Sequence, residues 1–356
     1  MNKIICIIAA AFVAVSCENT LDTLWVHENR AILVLNAQLF QDDTSHRIHV
    51  GCSRDDGCEI VDNATVTYRI NGGEDKVAEP IIVTSVDDKG ESKTTFYGYG
   101  FKAKLSPGDE IFMQASRATL TVTGTVKVPE SASTITTVDT AKVTVPDKYA
   151  LSMSRTRPTR QYAITVADKV GEKNYYLLRS GDIFYRLDSF GEKVSTYSCG
   201  SRIDTSGEPI LHSSGNLEDV FGIADILDSN EYDIFTDEMF TDASYTLKVT
   251  DSYYALSSSY RGAAWDAFWE GFETGDRYCL DRYFKVYTIS YEEYIYLNAQ
   301  SSYEMGYLDE LSEPIVLPSN TEGGIGFVNV ATPSVWTVHF PPQQFTGTPP
   351  QNPYRY

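Results

Sequence analysis

Apolar and polar residues alternate through most of the chain. Val66, Tyr68 and Ile70 alternate with Thr65, Thr67 and Arg69, and the run stops at Asn71-Gly72, a pair favoured in tight hairpins. Leu120, Val122, Val126 and Val128 fall on one face of a strand predicted over residues 120–128. The apolar run Ala31–Phe40 (AILVLNAQLF) and Arg47–Val50 read as strands, as do Glu79–Val86, Thr94–Lys104 and Glu110–Ala115, with Pro107-Gly108 as a turn. Short strands recurring at roughly ten-residue intervals predict an antiparallel sandwich, here an immunoglobulin-like domain over residues 28–130.

Residues 131–147 are rich in Ser and Thr, with Pro129 and Pro146 near the two ends, and are expected to be a linker or an edge strand. A second β-rich domain follows over 148–340. Its strands are predicted at Gln161–Asp168, Asn174–Ser180, Asp182–Leu187, Tyr245–Val249 and Arg282–Ile289. Two segments change to a helical period. Trp265, Phe268, Trp269 and Phe272 recur at i, i+3, i+4 and i+7, and Ser290-Tyr291-Glu292-Glu293 is a capping box opening a helix through about Ser302. The Pro- and Gln-rich tail, 341–356, is expected to be loosely ordered. The fold class is therefore mainly β: an immunoglobulin-like β-sandwich, then a β-rich domain with two or three short helices.

The first residues alter this picture. Asn2-Lys3, twelve apolar residues from Ile4 to Val15 and Ser16-Cys17 form a short secretory signal, too brief to span a bilayer, which needs about 20 residues. Ala14-Val15-Ser16-Cys17 resembles a bacterial lipobox. Its cysteine would be acylated as the first mature residue, leaving 17–27 as a lipidated tether and the membrane as a partner. Removing residues 1–16 takes away Lys3 alone, leaving 28 basic against 49 acidic residues and a net charge of −21. Nucleic acid and anionic lipid headgroups would be repelled.

Once Cys6 leaves with the signal and Cys17 carries lipid, Cys52, Cys58, Cys199 and Cys279 remain. An even number in an exported chain suggests disulfides, most simply 52–58 and 199–279, although four cysteines allow three connectivities. No zinc-ligand spacing is present, and no metal or cofactor is expected.

Candidate chemistry is sparse. The stretch GGIGF contains Gly323, Gly324 and Gly326 but is followed by β-branched and aromatic residues without a nearby Lys, so it reads as a structural turn and not a phosphate cradle. No nucleophile elbow or HExxH arrangement appears. His46 and His49 stand three apart on a strand and so face opposite sides. The acidic pairs Asp42-Asp43, Asp55-Asp56 and Asp87-Asp88 fit solvated turns better than calcium loops. The face of Trp265, Phe268, Trp269 and Phe272 either packs on the second domain's sheet or offers aromatic rings to a sugar or partner.

Several stretches occur together in order: Cys17 with Glu18 behind it, GEKNYYLLRS at 171–180, DEMFTDASYTLKV at 237–249, ISYEEYIYLNAQ at 289–300 and SEPIVLPSNTEGGIGFV at 312–328. They resemble the Bacteroidetes outer-membrane lipoprotein family catalogued as domain of unknown function 4249. The closing signature is matched by Glu313, Pro314, Pro318, Asn320, Gly323, Gly324, Gly326 and Phe327, with Thr321 where Ile is usual. The resemblance implies a lipid-anchored outer-membrane protein at the cell surface, accompanying a TonB-dependent transporter and an unidentified nutrient ligand. It supplies no catalytic residue. The expected role is non-enzymatic, in nutrient capture or import. A structural or adhesive role is the alternative, and a secreted hydrolase fits less well.

Overall fold

The computed structural model describes residues 31–54, 57–86, 92–146, 156–169, 171–200, 203–212, 232–251, 263–304 and 317–349. The signal, the tether with Cys17, and Glu313-Pro314 lie outside them.

The first sandwich contains β1 (Ile32–Phe40), β2 (Ser45–Arg54), β3 (Gly57–Ile60), β4 (Thr65–Ile70), β5 (Lys76–Val77), β6 (Glu79–Val86), β7 (Ser92–Lys102), β8 (Glu110–Arg117) and β9 (Leu120–Lys127). One sheet runs β1-β2-β7-β6, with β3 paired to β2, and the facing sheet runs β9-β8-β4-β5. This is the A-B-E-D and C-F-G arrangement of an immunoglobulin constant-type domain, with β5 added beside the C strand. Alternation along β1 sends Leu33, Leu35, Ala37 and Leu39 into the core and leaves Asn36, Gln38 and Phe40 on the outer face. Asn71 and Gly72 both adopt left-handed backbone (φ 55° and 67°), as a type I′ turn requires.

The second sandwich begins with β10 (Ser133–Pro146), β11 (Thr156–Asp168), β12 (Tyr175–Leu187), β13 (Lys193–Gly200) and β14 (Ile203–Asp204), followed by α1 (Pro209–His212). After these come β15 (Ile234–Thr236), β16 (Ser244–Asp251), α2 (Ala263–Trp269), β17 (Arg277–Ile289), α3 (Tyr291–Glu304), β18 (Thr321–Glu322), β19 (Val328–His339) and β20 (Gln343–Gln344). The sheet β10-β11-β16-β14 packs on β13-β12-β17-β19. Tyr162, Ile164, Val166, Leu247 and Val249 meet Tyr176, Leu178, Phe284 and Val286 between the layers.

Three sequence expectations meet the structure here. Of the two readings of residues 131–147, the edge strand holds over its described part and the linker is corrected: β10 pairs with β11 from Ser133↔Asp168 to Pro146↔Thr156 and forms the sheet edge, a position that suits Thr-rich, solvent-facing sequence. The strands expected at Asn174–Ser180 and Asp182–Leu187 are one, β12 over Tyr175–Leu187, because Gly181 leaves room for the Tyr283 ring crossing it. A Cβ there would lie 2.1 Å from the Tyr283 hydroxyl. The tail is ordered through its first residues: β20 pairs with Arg277 and Tyr278, and Phe345 is buried in an aromatic cluster.

The two sandwiches are joined by more than a chain crossing. β19 runs parallel to β1 over Ala37↔Val328 to Phe40↔Ala331, then antiparallel to β17 over Thr332 to His339. One sheet is thus continuous from β13 to β6. The C-terminal domain expected over 148–340 is not closed in sequence, since residues 317–331 return to the first sandwich.

A charged group lies inside the second sandwich. Arg282 is fully buried, donates Nε and Nη2 to the two carboxylate oxygens of Asp182 at 2.9 and 3.1 Å, and donates Nη1 to Asp251 and to the Tyr162 hydroxyl. The Tyr162 hydroxyl donates to Asp251 at 3.1 Å. Burial holds the Asp251 carboxyl above its ordinary range despite the guanidinium beside it. The network ties β11 and β16 of one layer to β12 and β17 of the other.

Candidate functional site

The Gly-rich turn delivers Phe327 to the lining of a cleft. Asn320 copies a strand neighbour: its Nδ2 donates to the Val328 carbonyl at 2.7 Å and its Oδ1 accepts from Val328 N–H at 2.9 Å. β18 pairs with β9, while Ile325 exchanges main-chain hydrogen bonds with Leu33 and Leu35 of β1. The turn is therefore wedged between the two sheets of the first sandwich. A Cβ on Gly324 would sit 2.4 Å from the Leu33 carbonyl oxygen, and one on Gly326 (φ 136°) 2.2 Å from that of Leu35. Gly323, at φ 75°, would meet the Thr121 carbonyl oxygen at 2.6 Å. Close backbone approach demands these glycines. Pro318, half-buried, enters the turn, and Phe327 leaves it buried, its ring stacked on Tyr296 at 4.4 Å and 8°.

The cleft, of about 470 Å³, opens on the outer face of β1 and β2, beside α3 and the start of β19. Asn36 and Gln38 of β1, Arg47 and His49 of β2, and Asn329 of β19 bring polar side chains to it. Tyr232, Tyr296 and Phe327 bring aromatic surface. Strand alternation turns the side chains of Ala37 and Ile48, which lie between these residues, into the sandwich core, and the buried His46 ring sits 4.9 Å from Phe101 with its Nε2 3.0 Å from the Ala103 carbonyl oxygen. The Asn36 Oδ1 accepts from Phe327 N–H at 2.8 Å and ties the turn to the floor. His49 is held below its usual pKa, first by loss of solvent and then by the Arg47 charge.

Two oxygens beside the cleft lack partners. Asn329 is 5% exposed and lines the cleft, yet its Oδ1 accepts no hydrogen bond. Glu293, fully buried on α3, accepts at Oε1 from Gln38 Nε2 at 3.5 Å, and its Oε2 has no partner. Burial raises the Glu293 pKa from 4.5 to about 8, against the smaller opposing effects of Gln38 and Arg179. Such orphan atoms are uncommon in a folded interior and call for an explanation.

The other sequence candidates fall elsewhere. Trp265, Phe268 and Trp269 are buried, and Phe272, three residues past the end of α2, is half-buried. Trp265 packs edge-on against Phe184 at 5.2 Å, and Trp269 stacks on Phe345 at 5.3 Å. Three of the four rings are buried against the sheet, so the face packs, and this corrects the binding alternative. The cysteine pairings are corrected too, for all four described cysteines are free. Cys52 stands opposite Glu59 and Cys58 opposite Ser53, so the two thiols leave opposite faces of the β2–β3 hairpin. Cys199 stands opposite Asp182 and Cys279 opposite Tyr185, on the two strands that flank β12, so an offset of three residues puts them on opposite faces, roughly 14 Å apart and beyond disulfide reach. Burial pushes the Cys199 thiol up to about 12.

Sequence reasoning missed Gln38, Glu293 and Asn329. The available signal was weak: Asn36 and Gln38 interrupt an otherwise apolar strand, and Glu293 looked like an ordinary capping residue. No group of three or more His, Cys, Asp or Glu side chains suited to a metal occurs among the described residues.

No curated protein matches the chain. The sequence profile of one family does, over residues 21–335, which takes in the first sandwich, the second as far as the middle of β19, the Gly-rich turn and every cleft residue named above. The chain belongs to the family described as Domain of unknown function (DUF4249).

Proposed function

We propose that this protein is an outer-membrane lipoprotein, exposed at the cell surface and anchored through acylated Cys17, that captures a nutrient for a TonB-dependent transporter without catalysing a reaction. The observation that carries the proposal is the cleft: an open site of about 470 Å³, floored by one continuous sheet and lined by amide and aromatic side chains. Its volume lies in the range of small-molecule sites, about 300–1,000 Å³. Support for the anchor comes from the signal segment and from Ala14-Val15-Ser16-Cys17. A lipid tether raises the local concentration of captured solute at a neighbouring transporter's mouth.

The test is affinity purification of the tagged protein from outer membranes solubilised in mild detergent. Mass spectrometry is expected to find diacylated Cys17 as the first residue and a TonB-dependent transporter in the eluate. Cys17→Ala is expected to remove both the membrane association and the transporter. An unacylated amino terminus, with the protein free in the medium, would refute the proposal.

A further inference from the structure

Arg47 stands out among the residues of the cleft. The chain holds 29 basic and 49 acidic residues, so carboxylate partners are plentiful. Arg69, Arg117, Arg186 and Arg282 each pair with one. Among the described residues Arg47, which is exposed, makes no ion pair or hydrogen bond, even with Asp43 of the same cleft. Its guanidinium carbon lies 6.0 Å from the centre of the Tyr97 ring.

The neighbouring strands leave this side chain free and put further donors beside it. Tyr99 and Phe101 of β7 turn into the core, so Gly98 and Gly100 occupy the outer face. A Cβ on Gly98 would lie 3.4 Å from both Arg47 Cγ and His49 Nδ1, and the two side chains converge over that glycine. His49, also exposed, stands directly opposite Asn36 in the β1–β2 register. The Asn36 Oδ1 is occupied by the Phe327 N–H, which leaves the two Nδ2 hydrogens without a partner among the described residues. One patch of the floor therefore carries a guanidinium, an amide donor and the N–H of an imidazole kept neutral at pH 7 by desolvation and by Arg47.

Clustered donors call for an acceptor, and charge selects which. The patch carries the single positive charge of Arg47. A carboxylate matches it and takes the guanidinium fork through both oxygens. A phosphate dianion would leave surplus negative charge in a cleft that also contains Asp43, on a chain of net charge −20. An ammonium would face Arg47, and a neutral hydroxyl compound offers the guanidinium no counter-charge. The protein's overall charge is screened beyond about 8 Å at physiological salt, so it does not cancel Arg47 at contact distance. The orphan oxygens of Asn329 and Glu293 are closed to solvent and take no part. Elsewhere in the lining, Phe40, Ile81, Tyr232 and Tyr296 are half-buried and offer apolar surface.

We infer that the cleft binds a small monocarboxylate with an apolar body, its carboxylate on Arg47 beside Asn36 and His49 and its body against Phe40, Ile81, Tyr232 and Tyr296. This inference rests on the proposal that the cleft is the capture site and adds the chemical class of what is captured.

The test is calorimetry on the lipidated protein in a non-ionic detergent, with benzoate, phenylacetate, indole-3-acetate and hexanoate at millimolar concentrations. Benzamide, phenylacetamide and hexanamide are the uncharged isosteres, and benzylamine, phenyl phosphate and glucose the other comparators. At least one monocarboxylate is expected to bind saturably, about tenfold or more tighter than every comparator, as a charge-assisted bidentate contact provides. Arg47→Gln is expected to weaken that binding at least tenfold and to leave the thermal midpoint unchanged, since the exposed guanidinium holds no protein hydrogen bond. The inference is overturned if no monocarboxylate binds, if an amide or another comparator binds as tightly, or if binding survives Arg47→Gln unchanged. Transporter co-purification reads the parent proposal separately: its persistence alongside carboxylate failure rejects the ligand class alone, and its loss rejects the capture role.

Discussion

Gln38 on β1 and Glu293 on α3, 255 residues apart in sequence, meet through a 3.5 Å hydrogen bond beneath the cleft. The contact joins the first sandwich to a helix of the second at the point where the two share a sheet. A carboxyl buried with one long hydrogen bond has an energetic signature.

Glu293 is expected to make the protein less stable as pH rises. Its folded pKa of about 8 exceeds the ordinary 4.5. The folded state therefore holds the proton more tightly, and the group's contribution is complete below the unfolded value and lost as pH climbs through the folded one. By pH 7 the loss is roughly 3 kcal/mol, at about 1.4 kcal/mol per pH unit. Urea denaturation at about pH 5 and about pH 7.5 should show Glu293→Gln gaining on the parent protein by this order at the higher pH. Equal pH slopes in the two proteins would reject the assignment.

Removing the Arg282 guanidinium strands two buried carboxylates. Arg282→Ala is expected to cost about 3–5 kcal/mol, and Arg282→Lys a large part of that, because an ammonium cannot make the bidentate bond to Asp182. The urea midpoint reads both. A loss below about 1 kcal/mol in the alanine variant would mean that water replaces the guanidinium.

Backbone approach should rank the glycines. Gly326→Ala puts a Cβ 2.2 Å from the Leu35 carbonyl oxygen at φ 136° and is expected to cost about 3 kcal/mol or more, or to prevent folding. Gly108→Ala meets open space at φ 89° and should cost about 1–2 kcal/mol, the left-handed backbone penalty alone. Similar thermal midpoints for the two variants would contradict the wedge between β1 and β9.

The cysteines should titrate as thiols. Alkylation after denaturation without reductant is expected to label Cys52, Cys58, Cys199 and Cys279. In the folded protein Cys58 should react first, since it is exposed while Cys52 and Cys279 are buried. A nonreducing peptide map with a 52–58 or 199–279 link would overturn the register argument.

Much of the fold could be read from local pattern. Alternation at Val66, Tyr68 and Ile70 located β4, Asn71-Gly72 its hairpin, and the aromatic spacing from Trp265 located α2. Pairing over long distance was not legible. Nothing near Val328 announces that it lies beside Ala37, because register between distant strands depends on the whole packed face. The site escaped notice for the same reason. Ser290 Oγ does accept from the Glu293 N–H at 3.0 Å, as a helix cap should, but the carboxylate turns to Gln38, a residue only the fold brings near. The expected disulfides failed because counting thiols ignores which face of a strand each one leaves.

β1 opens the described part of the chain, β19 stands near its close, and the two lie side by side in the same direction. Tension applied between the chain's ends would drag these neighbours past each other lengthwise. The rungs between them would be loaded together in shear instead of peeling one by one. A protein tugged at one terminus is thereby given its mechanical clamp at the seam that floors the cleft.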